Sequence, residues 1–138
     1  MNIKKTSAIA IAALSFIIIA LGCADYGDPP TNSSGTVSFA ADIQDTLAVQ
    51  CAKSGCHGID SSQGGFTMGN VTWSEIRNGS GNHGLVVIPG NASASNLFLK
   101  TTASPPFGTR MPNDGPPYLS IQAQTAIRDW INQGALDN

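Results

Sequence analysis

The sequence predicts an all-α domain of three to five short helices joined by long loops. Phe39, Ile43 and Leu47 recur four residues apart, which places them on one face of a helix. Apolar residues recur at helical spacing again between Ala123 and Ile131. No convincing run of residues alternates in the manner of a half-buried strand. The 15 glycines and 8 prolines among the 138 residues supply the turns that separate the helices.

Polar residues mark where each helix begins. The predicted N-caps, in chain order, are Ser38, Thr72, either Asn91 or Ser93, and Ser120. Glu75 lies three residues after Thr72, and this spacing is typical of a capping box. Gly79 and Gly134 are expected to end the second and the last helix. The first helix leads directly to Cys51.

Residues 1–22 are typical of a signal peptide. Lys4 and Lys5 precede an apolar run without charges at 8–21. The small residues before Cys23 resemble the lipobox of bacterial lipoproteins, in which that cysteine becomes the lipidated first residue. An ordinary secretory signal or an uncleaved membrane anchor is the alternative. Each interpretation predicts an exported domain, and a lipoprotein would be membrane-anchored and face the periplasm or the cell surface.

Residues 23–36 are expected to form the lipidated N-terminus and a flexible tether, because Pro, Gly, Ser and Asp dominate there. Residues 37–138 then form the folded part, which is long enough for one domain. Without the signal peptide, the chain has five basic and nine acidic side chains. This balance argues against nucleic acid as a partner and suits a basic face on a protein partner.

Cys51, Cys56 and His57 carry the most informative pattern in the sequence. A C-x-x-C-H run is typical of c-type haem attachment, in which two thiols bind the haem vinyl groups and the histidine ligates the iron. Here four residues separate the cysteines, so the spacer has to bulge outward, which Ser54 and Gly55 are small enough to permit. A disulfide between the cysteines and a zinc site are alternatives, although zinc requires four ligands.

A haem iron needs a second axial ligand, and methionine paired with histidine is the pattern of cytochromes c. Met111 lies in a loop beside Pro112, shortly before the last predicted helix. Met68 follows His57 too closely for the chain to cross to the other face of a haem. His83 is the rival to Met111 and would make a bis-histidine site.

Three further side chains have two interpretations each. Trp73 and Trp130 are expected in the core, or else as donors to a haem propionate. Arg110 precedes Met111 and either pairs with a propionate or is solvated in its loop.

The chain resembles class I c-type cytochromes and is closest to small exported or lipoprotein members with a C-x4-C-H site. The matching pieces, in the family's order, are Phe39–Ile43, Cys51–Gly58, Pro89–Asn91 with Ser95–Leu97, Arg110–Pro112 and Ile127–Ala135. The resemblance implies a cytochrome c-like fold in which the first and last helices pack together. Phe39 and Trp130 are then expected to be in contact.

The same resemblance implies one haem c, bound covalently at Cys51 and Cys56, with His57 and Met111 as the iron ligands. Such a domain transfers single electrons between redox partner proteins and is not an enzyme. A lipid on Cys23 would tether it to a membrane. One alternative is a haem-based module that senses or binds a small gas. Another is a haem-free surface lipoprotein stapled by a disulfide.

Overall fold

A computed structural model describes residues 35–138. The predicted signal peptide, the lipidation site Cys23 and most of the predicted tether lie outside the described residues. Long loops join four short α-helices in this range: α1 (Gln44–Gln50), α2 (Trp73–Arg77), α3 (Asn96–Leu99) and α4 (Ile121–Asn132). A π-helical turn, Phe39–Ile43, precedes α1, and 3-10 turns lie at Gln63–Gly65 and Ala92–Ala94. Across residues 35–138, no helix is long and apolar enough to span a bilayer.

The regular structure is thus mostly helical, as predicted, and the predicted caps are in place. Ser38, Asn91 and Ser120 each accept a hydrogen bond from the amide three residues further on, at 3.1 to 3.2 Å. Asn91 is therefore the cap at the third predicted helix, which is split into a 3-10 turn and α3. The last helix ends just before Gly134, which has a φ of +104° that glycine adopts without strain.

The all-α prediction is wrong at one point, because residues 80–85 form a small antiparallel hairpin. Its strands are β1 (Ser80–Gly81) and β2 (Gly84–Leu85), with Ser80 paired to Leu85 and Gly81 to Gly84. Each strand has two residues, too few to produce the alternation that indicates a strand in a sequence. The tip of the hairpin is Asn82-His83, a two-residue connection.

The core forms where the π-helical turn packs against α4. The rings of Phe39 and Trp130 lie 5.3 Å apart in a tilted arrangement, which confirms the predicted contact. Ile43 and Leu47 belong to the same core and are fully buried. This packing fixes the direction of α1, and Cys51 directly follows the last residue of that helix.

Both tryptophan indoles are engaged by the C-terminal segment. Trp73 Nε1 donates to the carbonyl of Ala135 at 2.8 Å. Trp130 Nε1 donates to the carbonyl of Leu136 at 2.9 Å. Because an indole has a single N–H to donate, the structure supports the core interpretation of both residues and not the propionate one.

Replacing Thr72 with alanine is expected to destabilise the domain by about 1 kcal/mol. Thr72 Oγ1 accepts from the Glu75 amide at 3.3 Å, and the Glu75 carboxylate accepts from the Thr72 amide at 2.9 Å. The variant therefore breaks a complete capping box. Urea unfolding measures the loss. Ser62→Ala is the control, because Ser62 caps a 3-10 turn without a side-chain hydrogen bond, and equal losses in the two variants would contradict the prediction.

The capping box also predicts a pH dependence. Hydrogen bonding, chiefly from the Thr72 backbone, holds the pKa of the Glu75 carboxyl below its ordinary value of 4.5. A lowered pKa stabilises the fold above the unfolded pKa, and that stabilisation is lost as pH falls through the folded value. The stability difference between wild type and Glu75→Gln should therefore shrink below pH 4.5, whereas Thr72→Ala keeps the backbone donor that lowers this pKa most. Urea unfolding at several acidic pH values measures this, and a constant difference would count against it.

Candidate functional site

A cavity of about 300 Å³ opens between the loop after α1, the hairpin and α3. This volume is at the lower end of the range typical of small-molecule sites. Its lining includes Cys51, His57, His83 and Met111, and the Met111 loop (residues 101–111) forms one side. Much of the wall is apolar, namely Phe66, Met68, Val86, Leu97 and Phe107. The fold thus brings residues that are distant in the sequence to one apolar space.

The His57 ring is held in a defined orientation. Its Nδ1 lies 3.0 Å from the backbone carbonyl oxygen of Phe66. A carbonyl oxygen can only accept, so Nδ1 carries the hydrogen, and in the neutral imidazole the lone pair is on Nε2. A histidine that ligates a metal is typically fixed through its other nitrogen in this way. The arrangement therefore leaves Nε2 of His57, a residue of the cavity lining, available to ligate a metal.

The spacer between the two cysteines forms a hydrogen-bonded turn. The amides of Cys56 and Gly58 both donate to the carbonyl of Lys53 at 3.0 Å. Ser54 and Gly55 are exposed, and Gly55 has a φ of +76° that suits glycine. Ser54 and Gly55 therefore lie on the exposed part of this turn, and the fit of the wide spacer to a haem stays a prediction.

The two cysteine thiols of the described chain differ in their surroundings, and neither is in a disulfide. Cys51 lines the cavity and packs against the core, and desolvation of its sulfur raises its pKa to about 12. Its thiol is therefore protonated at neutral pH. Cys56 is half-buried and is not a lining residue. Three of the four predicted haem residues thus lie on the cavity wall, and Cys56 precedes one of them, His57, in the chain.

The Met111 loop closes back on the end of α3. The amide of Met111 donates to the carbonyl of Lys100 at 2.7 Å. Arg110 Nε donates to the carbonyl of Thr101 at 2.9 Å, and its guanidinium lies 4.2 Å from the centre of the Tyr118 ring. Arg110 is therefore not simply solvated. It ties the end of the loop to its beginning, next to the predicted ligand Met111.

The rivals of Met111 also line the cavity, in different settings. His83 is exposed at the tip of the hairpin, and its ring stacks on Phe107 with centroids 3.9 Å apart. Met68 is buried, and its amide donates to the carbonyl of His57 at 2.6 Å. That bond holds the Met68 backbone beside that of His57.

Phe66, Phe107 and Lys100 contribute to the site but were not singled out from the sequence. Phe66 supplies the carbonyl that orients His57, and Phe107 stacks with a candidate ligand. Both are aromatic residues within glycine- or proline-rich loops, a setting in which a large apolar side chain is itself a signal of a buried contact. Lys100 offers no such signal, because an isolated lysine at a helix end is common.

The chemistry of the wall suits a large apolar group that brings its own metal. Lys100 is the only Lys, Arg, Asp or Glu among the lining residues of the described chain. Within residues 35–138, no three His, Cys, Asp or Glu side chains gather to hold a metal ion. One thiol, two imidazoles and two thioethers line this largely apolar space, and such a donor set could hold a haem.

Replacing Gly58 with alanine is expected to lower the stability by about 1–3 kcal/mol, because the site has no space for a methyl group. A Cβ there would lie 2.9 Å from the carbonyl oxygen of Lys53 and 3.0 Å from that of Ala52. Both are backbone atoms, so neither can rotate away. Gly35→Ala is the control, since its Cβ would meet nothing within 4 Å. Equal thermal unfolding midpoints for the two variants would contradict the spacer packing.

The chain was compared with protein-family models, with curated proteins and with solved structures, and none of them matches it. Its function is therefore inferred from the chemistry of the cavity and from the sequence patterns.

Proposed function

We propose that residues 37–138 are a monohaem c-type cytochrome domain that carries single electrons outside the cytoplasm. The observation that supports this most strongly is the joint placement of Cys51, His57 and Met111 on the wall of one apolar cavity. They are the first thiol of the C-x4-C-H pattern, its histidine, and the methionine expected as the second iron ligand.

Four residues would hold the haem. Cys51 and Cys56 would each attach one vinyl group by adding the S–H across its double bond, which needs no oxidant or reductant. His57 would ligate the iron through Nε2, because Nδ1 is engaged with the Phe66 carbonyl. Met111 supplies a thioether sulfur from the Met111 loop. Thioether bonds would prevent loss of the haem outside the cell.

When bound, the haem supplies one-electron chemistry, with iron alternating between the ferric and ferrous states. Met111 favours the reduced state, because a methionine sulfur raises the potential relative to a second histidine. The apolar wall that includes Phe66 and Phe107 would limit water around a bound haem and so would also disfavour the more highly charged oxidised state. No side chain has to accept or donate a proton, which is why the proposal is a carrier and not an enzyme.

We propose a cytochrome c-like fold for the same residues. The contact between Phe39 and Trp130 supports it, since the resembled family packs its first and last helices together. The order of the elements along the chain supports it as well. Helix α1 leads into Cys51, the Met111 loop follows α3, and α4 is the last helix.

The sequence of residues 1–36 supports anchoring of the domain to a membrane. The apolar run before Cys23 and the small residues beside it are the basis for a lipidated N-terminus. The residues that follow are Pro-, Gly- and Ser-rich, so they would act as a flexible tether. The domain would then reach redox partner proteins while staying at the membrane surface.

The proposal is tested by expressing the full chain with haem-maturation machinery and denaturing the product. Haem that stays with the polypeptide on a denaturing gel is the expected result, and the same chain expressed without that machinery is the control. A folded but colourless protein from both preparations would overturn the proposal and favour the haem-free surface lipoprotein.

A further inference from the structure

The side chain of Lys100 reaches into the Met111 loop. Its Nζ donates to the carbonyl of Phe107 at 2.7 Å and also to the carbonyl of Thr109. Its own backbone carbonyl accepts the amide of Met111 at 2.7 Å. A single residue at the end of α3 thus binds the loop at three points, the last of them the predicted iron ligand itself.

Groups of the Met111 loop surround the Lys100 ammonium. Lys100 is half-buried at the cavity. Burial of an ammonium is unfavourable unless acceptors surround it, and here two carbonyls do so while the Phe107 ring lies 4.9 Å from Nζ. Gly108 has a φ of +57°, and a Cβ there would lie 3.2 Å from Nζ. The glycine therefore leaves room for the ammonium.

We infer that Lys100 is a positioning residue that holds the Met111 loop closed against the cavity and thereby sets how readily Met111 gives way to an external ligand. The part that concerns displacement of Met111 by an external ligand rests on the proposed function. The other part, the closure of the loop, depends on this chain's own contacts alone.

The closure is tested by hydrogen exchange of the Met111 amide in the full chain, measured by NMR both without haem and with ferrous haem. Lys100→Met keeps the length of the side chain but removes the ammonium, and Lys100→Gln is too short to reach both carbonyls. Each is expected to speed exchange about tenfold or more, because hydrogen bonds from a charged donor are among the stronger ones. Lys100→Arg retains a charged donor and should remain within about twofold of wild type.

The ligand step is tested by imidazole binding to the ferric, haem-loaded chain. The Met and Gln variants should bind imidazole more tightly, and the Arg variant should resemble wild type. Arg128→Gln is the matched control, because it removes an exposed charge that pairs with Asp129 on α4, outside the cavity lining.

Three results would overturn the inference. The first is an unchanged exchange rate of the Met111 amide in both Lys100→Met and Lys100→Gln. The second is faster exchange that extends equally to the amides of α4. The third is faster exchange of the Met111 amide in Lys100→Arg as well. If wild type retains no haem, the proposed function fails, but exchange in the haem-free chain still decides whether Lys100 closes the loop. If haem is retained and imidazole affinity does not follow Lys100, the inference fails while the proposed function stands.

Discussion

Replacing Cys51 and Cys56 together with alanine is expected to abolish haem that survives denaturation. Thioether bonds to these two sulfurs are the covalent link in the proposed domain. The substitution removes a thiol group at each site and leaves His57 and its hydrogen bond to the Phe66 carbonyl in place. Haem staining of a denaturing gel measures the loss, with protein from the wild-type chain made in parallel.

The single variants sharpen this prediction. Cys51→Ala and Cys56→Ala should each retain haem through the remaining sulfur. The α band of the pyridine haemochrome should shift to the red, because one vinyl group stays unsaturated. Since Cys51 lines the cavity and Cys56 does not, the comparison also shows whether the wide spacer brings both sulfurs to the haem. Covalent haem in the double variant, or none in either single variant, would contradict the proposed attachment.

Replacing Met111 with alanine is expected to tighten imidazole binding to the ferric protein by roughly tenfold to a thousandfold. An external ligand has to compete with the methionine, and a minor open state of about 0.1–10% lowers the apparent affinity by that fraction. The variant should also lose the far-red sulfur-to-iron charge-transfer band. Its potential should fall, since the sulfur ligand raises it.

His83→Ala is the matched control for this second prediction, because His83 also lines the cavity but stacks on Phe107. It should leave the far-red band and the imidazole affinity near their wild-type values. If the ferric wild-type protein lacks the far-red band, and His83→Ala rather than Met111→Ala tightens imidazole binding, the site is bis-histidine. If nitric oxide removes the far-red band from the ferric wild-type protein, Met111 is displaceable, as the gas-sensing alternative requires.

Local patterns account for the parts of the fold that the sequence predicts well. A helix cap forms when a side-chain hydroxyl accepts a hydrogen bond from the amide three residues further on, as at Ser38, Thr72 and Ser120. Such a cap can be predicted from a few adjacent residues. The cluster at 51–57 is equally local. The C-x4-C-H spacing therefore pointed to Cys51 and His57, which line the cavity.

The features that the sequence does not predict depend on contacts between distant segments, or lie in elements of only two residues. The hairpin at 80–85 has strands of two residues, and its side chains carry no periodic signal. Lys100 is a positioning candidate only because the loop returns to it, with the Phe107 and Thr109 carbonyls placed around its ammonium. The carbonyl of Phe66 orients His57 through backbone geometry that a residue type does not encode.

A potentiometric titration of the full wild-type chain, made with haem-maturation machinery and followed by its visible spectrum, tests the central claim most directly. The account predicts one reversible one-electron transition of a covalently retained haem, with the sulfur-to-iron band present in the oxidised form. A chain without haem absorbance, or a haem whose oxidised form lacks that band, would contradict a carrier ligated by His57 and Met111.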